Sequence, residues 1–227
     1  MLCIKADIIT SRENRRDRDL PAIAGRLNEQ LAFKALIPFG VRAGDELFFL
    51  THEAADGYQA FKALCQAQRE GGLPLRIAVG LGGLDPYKGR PDPERINGPA
   101  IWRAADAMEE LKRPTSASAH ILRGKGRLRY NIHVSDSQMD NMTALYYLHF
   151  ITQRIAKRTQ AQHEAVAARD AQPDWTHEQL MSWLDEQRGS STKNPRESFA
   201  QYLDRADYYP IREAELGFIH LLEGFRP

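Results

Sequence analysis

Short apolar runs alternate with segments of helical apolar spacing over roughly the first 135 residues of the chain. Runs rich in β-branched and apolar residues predict strands, and apolar residues three or four positions apart predict helices with one buried stripe. The predicted strands are residues 2–9, 36–43, 46–51, 75–82, 119–122 and 128–134, and the predicted helices are residues 19–31, 54–71 and 98–111. This order, βαββαβαββ, predicts an α+β fold of the ferredoxin-like kind, in which helices cover an antiparallel or mixed sheet.

The remainder of the chain has only helical spacing. Its apolar positions predict one helix over residues 138–169, and Pro173 marks a boundary after it. We therefore predict three parts, which are a mixed-sheet domain (1–136), a connecting helix (137–173) and an all-helical C-terminal domain (174–227).

The composition is that of an ordinary folded domain, with 42% hydrophobic and 27% charged residues. No apolar run approaches the roughly 18 residues that span a bilayer, and the N-terminus lacks a basic segment followed by an apolar one. We expect a cytoplasmic protein without a membrane partner. Cys3 and Cys65 lie in apolar segments without a second cysteine nearby, so we expect buried thiols rather than a disulfide or a zinc site.

Charge is distributed unevenly, although the net charge is only +1. Residues 116–174 contain 8 Lys/Arg and 5 Asp/Glu, whereas residues 175–227 contain 6 and 9. Because phosphate neutralisation supplies most of the affinity for DNA, the acidic C-terminus opposes DNA binding there. The basic residues concentrate in and beside a predicted hairpin turn, where they have nucleic acid, a nucleotide phosphate or solvent as alternative partners. They include Arg123, Lys125, Arg127 and Arg129.

Acidic residues mark one edge of the predicted sheet. Asp7 lies in an otherwise apolar strand, and Asp45 lies at the tip of the hairpin turn with Glu46 beside it. In a βαββ unit these strands are neighbours, so the carboxylates can converge on a hard cation such as Mg²⁺, whose coordination is completed by substrate phosphates and water. A carboxylate in an apolar strand otherwise needs a cap at the strand end or a salt bridge, for which Lys5 and Arg42 are alternatives.

Four blocks of sequence resemble a known family in their order and spacing. They are KADIITSR (5–12), RAGDELFFL (42–50), LRIAVGLGGL (75–84) and NGPAIWRAADAMEELK (97–112). Together they resemble the SatD family of bacterial proteins, and they look like a distant version of the palm domain of class III nucleotidyl cyclases and GGDEF proteins. That palm binds two divalent ions and a nucleoside triphosphate.

The resemblance implies a set of site residues. Those implied to hold Mg²⁺ or Mn²⁺ are Asp7, the Ile8 carbonyl, Asp45 and Glu46, and those implied to lie at the nucleotide are Ile9, Thr10, Ser11, Arg12 and Gly44. For Arg12 the alternative is a solvated loop in which Glu13, Asp17 and Asp19 balance its charge. The sequence departs from the cyclases at Trp102 and Asp106, which align with an asparagine and an arginine that act on the ribose and the transition state. An aspartate cannot replace an arginine beside phosphates, so we expect a metal- and nucleotide-binding regulator with weak or no cyclase activity. A homodimer would be one source of the missing arginine.

The C-terminal helices suggest an alternative function. Residues 175–179 and 199–209 resemble the first and recognition helices of a helix-turn-helix segment, which is also a SatD-like feature. Residues 189–195 (GSSTKNP) stand where the short second helix is expected, so the motif is degenerate. The alternative is therefore a non-catalytic transcriptional regulator, with DNA as a partner, or a protein-interaction module that uses these helices.

Overall fold

The computed structural model describes residues 1–9, 20–31, 33, 35–42, 46–71, 74–113 and 128–225. The chain divides into two compact units, one formed by Met1–Tyr146 with Ile219–Pro227 and the other by Tyr147–Phe218. The division drawn from the sequence, at residues 136 and 173, follows the type of element along the chain and stays a prediction.

A mixed sheet forms the centre of the first unit. Its strands are β1 (Leu2–Ile8), β2 (Ile37–Arg42), β3 (Glu46–Thr51), β4 (Leu75–Leu81) and β5 (Leu128–His133). The order across the sheet is β2-β3-β1-β4-β5, where β4 and β5 are parallel and every other neighbouring pair is antiparallel. The first four strands have the ferredoxin-like arrangement, which confirms the predicted α+β fold.

Helices cover both faces of this sheet. The described part of the first unit contains α1 (Leu20–Gln30), α2 (Ala54–Gly71), α3 (Pro99–Lys112), the beginning of α4 (Gln138–Ala156) and the end of the last described helix from Ile219 onward. Leu2 lies against Gly57 of α2, so the even-numbered residues of β1 face that helix. Cys3 shares an apolar cluster with Ala100 and Ala104, so the odd-numbered residues face α3.

Only helices are found in the described part of the second unit. The unit contains the end of α4, then α5 (Gln160–Ala171), α6 (His177–Arg188), α7 (Pro195–Arg205) and the first part of α8 (Tyr208–Gly224). Its core joins α5, α6 and α7 through the buried residues Ala165, Leu180, Leu184, Phe199 and Leu203. None of the described helices has the length and apolar character needed to cross a membrane.

Two helix predictions are wrong. The predicted helix 138–169 is two helices, because Thr159 forms a capping box with Gln162 that starts a new helix at Gln160. The predicted recognition helix 199–209 is also interrupted, since α7 ends at Arg205 and α8 begins at Tyr208, with Asp207 at a φ of 51° between them. The predicted strand 119–122 and the turn after it lie outside the described residues.

Candidate functional site

A row of charged residues crosses the whole sheet near one end of its strands. Neighbouring strands place Arg42 opposite Glu46, Glu46 opposite Asp7, Asp7 opposite Arg76 and Arg76 beside Arg129. From β2 to β5 the charges are therefore positive, negative, negative, positive and positive. We call these five residues the charged row.

The acids of the charged row lie on the face of the sheet that α3 covers. Cys3 and Phe48 belong to the apolar cluster that includes residues of α3. Because side chains alternate along a strand, Asp7 lies on the same face as Cys3, and Glu46 lies on the same face as Phe48.

The basic residues of the row lie on this face as well. Arg76 is two positions from Ala78, which packs against α3, and the guanidinium of Arg42 lies 5.3 Å from the centre of the Phe48 ring. Arg129 is two positions from Asn131, whose amide donates a 2.9 Å hydrogen bond to Glu110 of α3. The five side chains therefore share one surface.

Ion pairs compensate the two acids. Nη1 of Arg76 lies 3.5 Å from each carboxylate oxygen of Asp7, and the Lys5 ammonium lies 3.1 Å from Glu46. Arg42 pairs with Glu94 at 3.7 Å. Lys5 and Arg42, which the sequence offered as ion-pair partners of Asp7, therefore pair with other acids. Arg76 is the ion-pair partner of Asp7 instead.

The Arg76 guanidinium is poorly satisfied by these contacts. Its distance to Asp7 is at the outer limit of a hydrogen bond, whereas charge-assisted pairs usually lie at about 2.7–2.9 Å. Its Nε atom is buried and finds no hydrogen-bond partner among the residues that the structure describes. A buried donor without an acceptor is costly, so this arginine has unused capacity for an anion.

The last turn of α3 adds charge beside the row. Lys112 donates a 2.8 Å hydrogen bond to Glu109. This bond raises the pKa of Lys112, burial opposes the change, and the negative charges of Glu109 and then Asp7 raise it further while Arg76 lowers it. Lys112 therefore lies within the electrostatic field of the charged row.

The structure brings together some of the predicted site residues. Asp7 and Glu46 face each other across β1 and β3, and Ile9 donates its backbone N–H to the Pro74 carbonyl at 2.8 Å. The side chain of Ile8 is buried on the opposite face. Predicted residues that fall outside the described part of the chain are Thr10, Ser11, Arg12, Gly44, Asp45, Arg123, Lys125 and Arg127.

Within the charged row, Asp7 and Glu46 are the residues that carry oxygen ligands for a cation. In the described ranges no group of three or more His, Cys, Asp or Glu side chains converges as a metal site would require. Asp7 and Glu46 are register partners on neighbouring strands, and Mg²⁺ typically takes one or two carboxylates together with substrate phosphates rather than a cage made only of protein. Asp7 and Glu46 are the two carboxylates of the charged row, and each pairs with a basic side chain in the structure.

The residues at the cyclase asparagine and arginine positions lie on α3. Trp102 is half exposed and donates a 2.6 Å hydrogen bond to Asn97. The neighbouring Arg103 donates to the Leu81 carbonyl at 2.7 Å and to Asp136 at 2.8 Å. Leu81 is the last residue of β4, and Arg76 lies near the first. Arg103 therefore makes its contacts at the end of β4 that lies away from the charged row.

Comparisons with known proteins do not extend this picture. No family model, no curated protein and no solved structure matches the chain. The resemblance to the SatD family and to the cyclase palm therefore stays a prediction.

Proposed function

We propose that the charged row binds Mg²⁺ or Mn²⁺ together with a nucleoside triphosphate, and that the protein is a nucleotide-responsive regulator with weak or no cyclase activity. The observation that carries this proposal is the pairing of Asp7 with Glu46 in register on the neighbouring strands β1 and β3, on one face of the sheet.

Electrostatics support a cation at this position. Like charges directly opposite each other on neighbouring strands destabilise a sheet. Both carboxylates are about one-fifth exposed, at 20% and 19%, so they are reachable yet only partly screened by water. A hard cation between them would offset their repulsion, and when bound it would also neutralise charge on the phosphates.

The residues at and beside the cyclase arginine position favour a regulatory role over a catalytic one. The aspartate at position 106 offers no positive charge to a transferring group, and Arg103 is tied to Leu81 and Asp136. The resemblance assigns transition-state charge stabilisation to an arginine at the position of Asp106, and such stabilisation is usually the largest single contribution to this chemistry, so its replacement favours binding with weak or no cyclase activity. DNA binding by the C-terminal helices and a homodimer stay predictions.

The proposal is tested by thermal unfolding with Mn²⁺ and each of the four nucleoside triphosphates. At about 100-fold excess over Kd, a ligand specific for the folded state adds about 2.7 kcal/mol to the free energy of unfolding. We expect this stabilisation for the wild type, and we expect Asp7→Asn and Glu46→Gln to lose it. Asp136→Asn is the matched control, because this acid is 96% exposed and belongs to the Arg103 contact. Equal stabilisation of all four proteins would contradict the proposal.

A further inference from the structure

We propose that Arg76, supported by Arg129, binds the phosphates of the ligand, and that Asp7 holds Arg76 in position until a ligand arrives. The identification of the ligand as a nucleotide rests on the function proposed above. The chemical class recognised by these two arginines is a polyphosphate, whether it is part of a nucleotide or inorganic.

The first reason is the adjacency of Arg76 and Arg129. They are register partners on the parallel strands β4 and β5 and lie on the same face of the sheet. Like charges in this relationship repel each other. Arg129 is exposed and forms no ion pair with any described residue, so the protein itself supplies little compensation. Two arginines in register on neighbouring strands can both offer N–H donors to one anion with several oxygens.

The second reason is the unused donor capacity of Arg76. A guanidinium carries five N–H donors, and the described contacts to Asp7 involve one nitrogen at 3.5 Å. Nε is buried without a described partner. The side chain is 21% exposed, so a ligand at the surface can reach part of it without unfolding the sheet.

The third reason is the balance of charge around the pair. Lys5 contacts Glu46, and Lys112 lies within the field of Asp7 and Arg76. Lys5 pairs with Glu46, Lys112 with Glu109, Arg42 with Glu94 and Arg76 with Asp7, so Arg129 is the basic residue of this surface without an ion pair to a described acid. When Asp7 binds a cation, Arg76 loses its ion-pair partner and becomes available to phosphate. The ion pairs of the free protein are then replaced by contacts with the metal ion and with the phosphates.

The experiment measures binding of inorganic tripolyphosphate by titration calorimetry in the presence of EDTA. The variants are Arg76→Gln, Arg129→Gln and Asp7→Asn, and Arg95→Gln is the control because this arginine is 88% exposed and pairs with Asp92. Loss of a charge-assisted contact should weaken binding about 10-fold or more for Arg76→Gln and by a smaller factor for Arg129→Gln. Asp7→Asn should bind tripolyphosphate at least as tightly as the wild type, because Arg76 is released.

The outcomes separate this inference from the proposed function. Undetectable tripolyphosphate binding by the wild type, or equal binding by wild type and a folded Arg76→Gln, overturns the role of Arg76. If Mn²⁺ with a nucleotide still stabilises the wild type and Arg76→Gln but not Asp7→Asn, the proposed function survives without a role for Arg76. If tripolyphosphate binds through Arg76 while no metal–nucleotide pair stabilises the wild type, the anion site stands and the proposed function fails. Arg129→Gln alters an exposed residue, so its effect is readable even if Arg76→Gln unfolds.

Discussion

Asp7 and Arg76 are register partners on β1 and β4, and both carboxylate oxygens of Asp7 lie 3.5 Å from Nη1 of Arg76. The contact is longer than a usual charge-assisted hydrogen bond, although both side chains are about four-fifths buried. Such a pair orients its two members but leaves donor capacity on Arg76. It therefore suits a site whose charged groups change partners when a ligand binds.

The weakness of this pair can be measured with a double-mutant cycle. We expect Asp7→Asn and Arg76→Gln to couple by less than about 1 kcal/mol in urea unfolding, as for ion pairs of modest geometry. The Lys5–Glu46 pair, at 3.1 Å and with side chains 14% and 19% exposed, is the internal comparison and should couple more strongly. A coupling above about 2 kcal/mol between Asp7 and Arg76 would instead mark a structural salt bridge.

Close packing of α3 on β4 gives a prediction for the scaffold. A Cβ atom at Gly80 would overlap the backbone of Ala100 and Ala104, which cannot move without displacing the helix. Gly80→Ala should therefore cost about 3 kcal/mol of unfolding free energy. Gly25 in α1 has open space around it, so Gly25→Ala is the control and should stabilise the protein by about 0.5–1 kcal/mol. Similar effects of the two substitutions in chemical denaturation would refute this description of the α3–β4 contact.

The second unit should lose stability in mild acid through His177. Burial lowers the pKa of His177 below its ordinary value of 6.5, and the positive charges of Arg169 and Arg196 lower it further. The unfolded chain therefore takes up the proton first, so the unfolding free energy falls as the pH drops below about 6.5. We expect His177→Gln to flatten this fall between about pH 7.5 and 5.5. Parallel stability curves for wild type and variant would contradict the assignment. Burial also lowers the pKa of His149, so His149→Gln should remove a separate part of the loss of unfolding free energy in mild acid.

Much of the sheet could be predicted from the sequence because each strand is a local apolar run. The short apolar runs at Leu2–Ile8 and Leu75–Leu81 predict strands by themselves. The order of strands, helices and hairpin along the chain then leaves few possible topologies for the sheet. The break after Ala156 was missed because helical apolar spacing continues through it, and the signal that ends the helix is one capping box at Thr159.

The candidate site was only half predictable, because pairing across strands is not written in any one segment. In the sequence, Asp7 stands out as an acid in an apolar run, and Glu46 follows a predicted turn. Arg76 alternates with apolar residues as any solvent-facing strand residue would, so the local sequence gives no indication that Asp7 is its partner. Only the register of β1 with β4 brings it to Asp7, and only that of β4 with β5 places Arg129 beside it.

Direct titration of the protein with Mn²⁺ and each nucleoside triphosphate tests the central claim, which is that the charged row is a metal–nucleotide site. We expect calorimetry to detect binding of at least one nucleotide with Kd below about 1 mM, and we expect Asp7→Asn to weaken it at least 10-fold while Asp136→Asn leaves it unchanged. Absence of binding for all four nucleotides at millimolar concentration, or equal affinity of wild type and Asp7→Asn, would contradict the account.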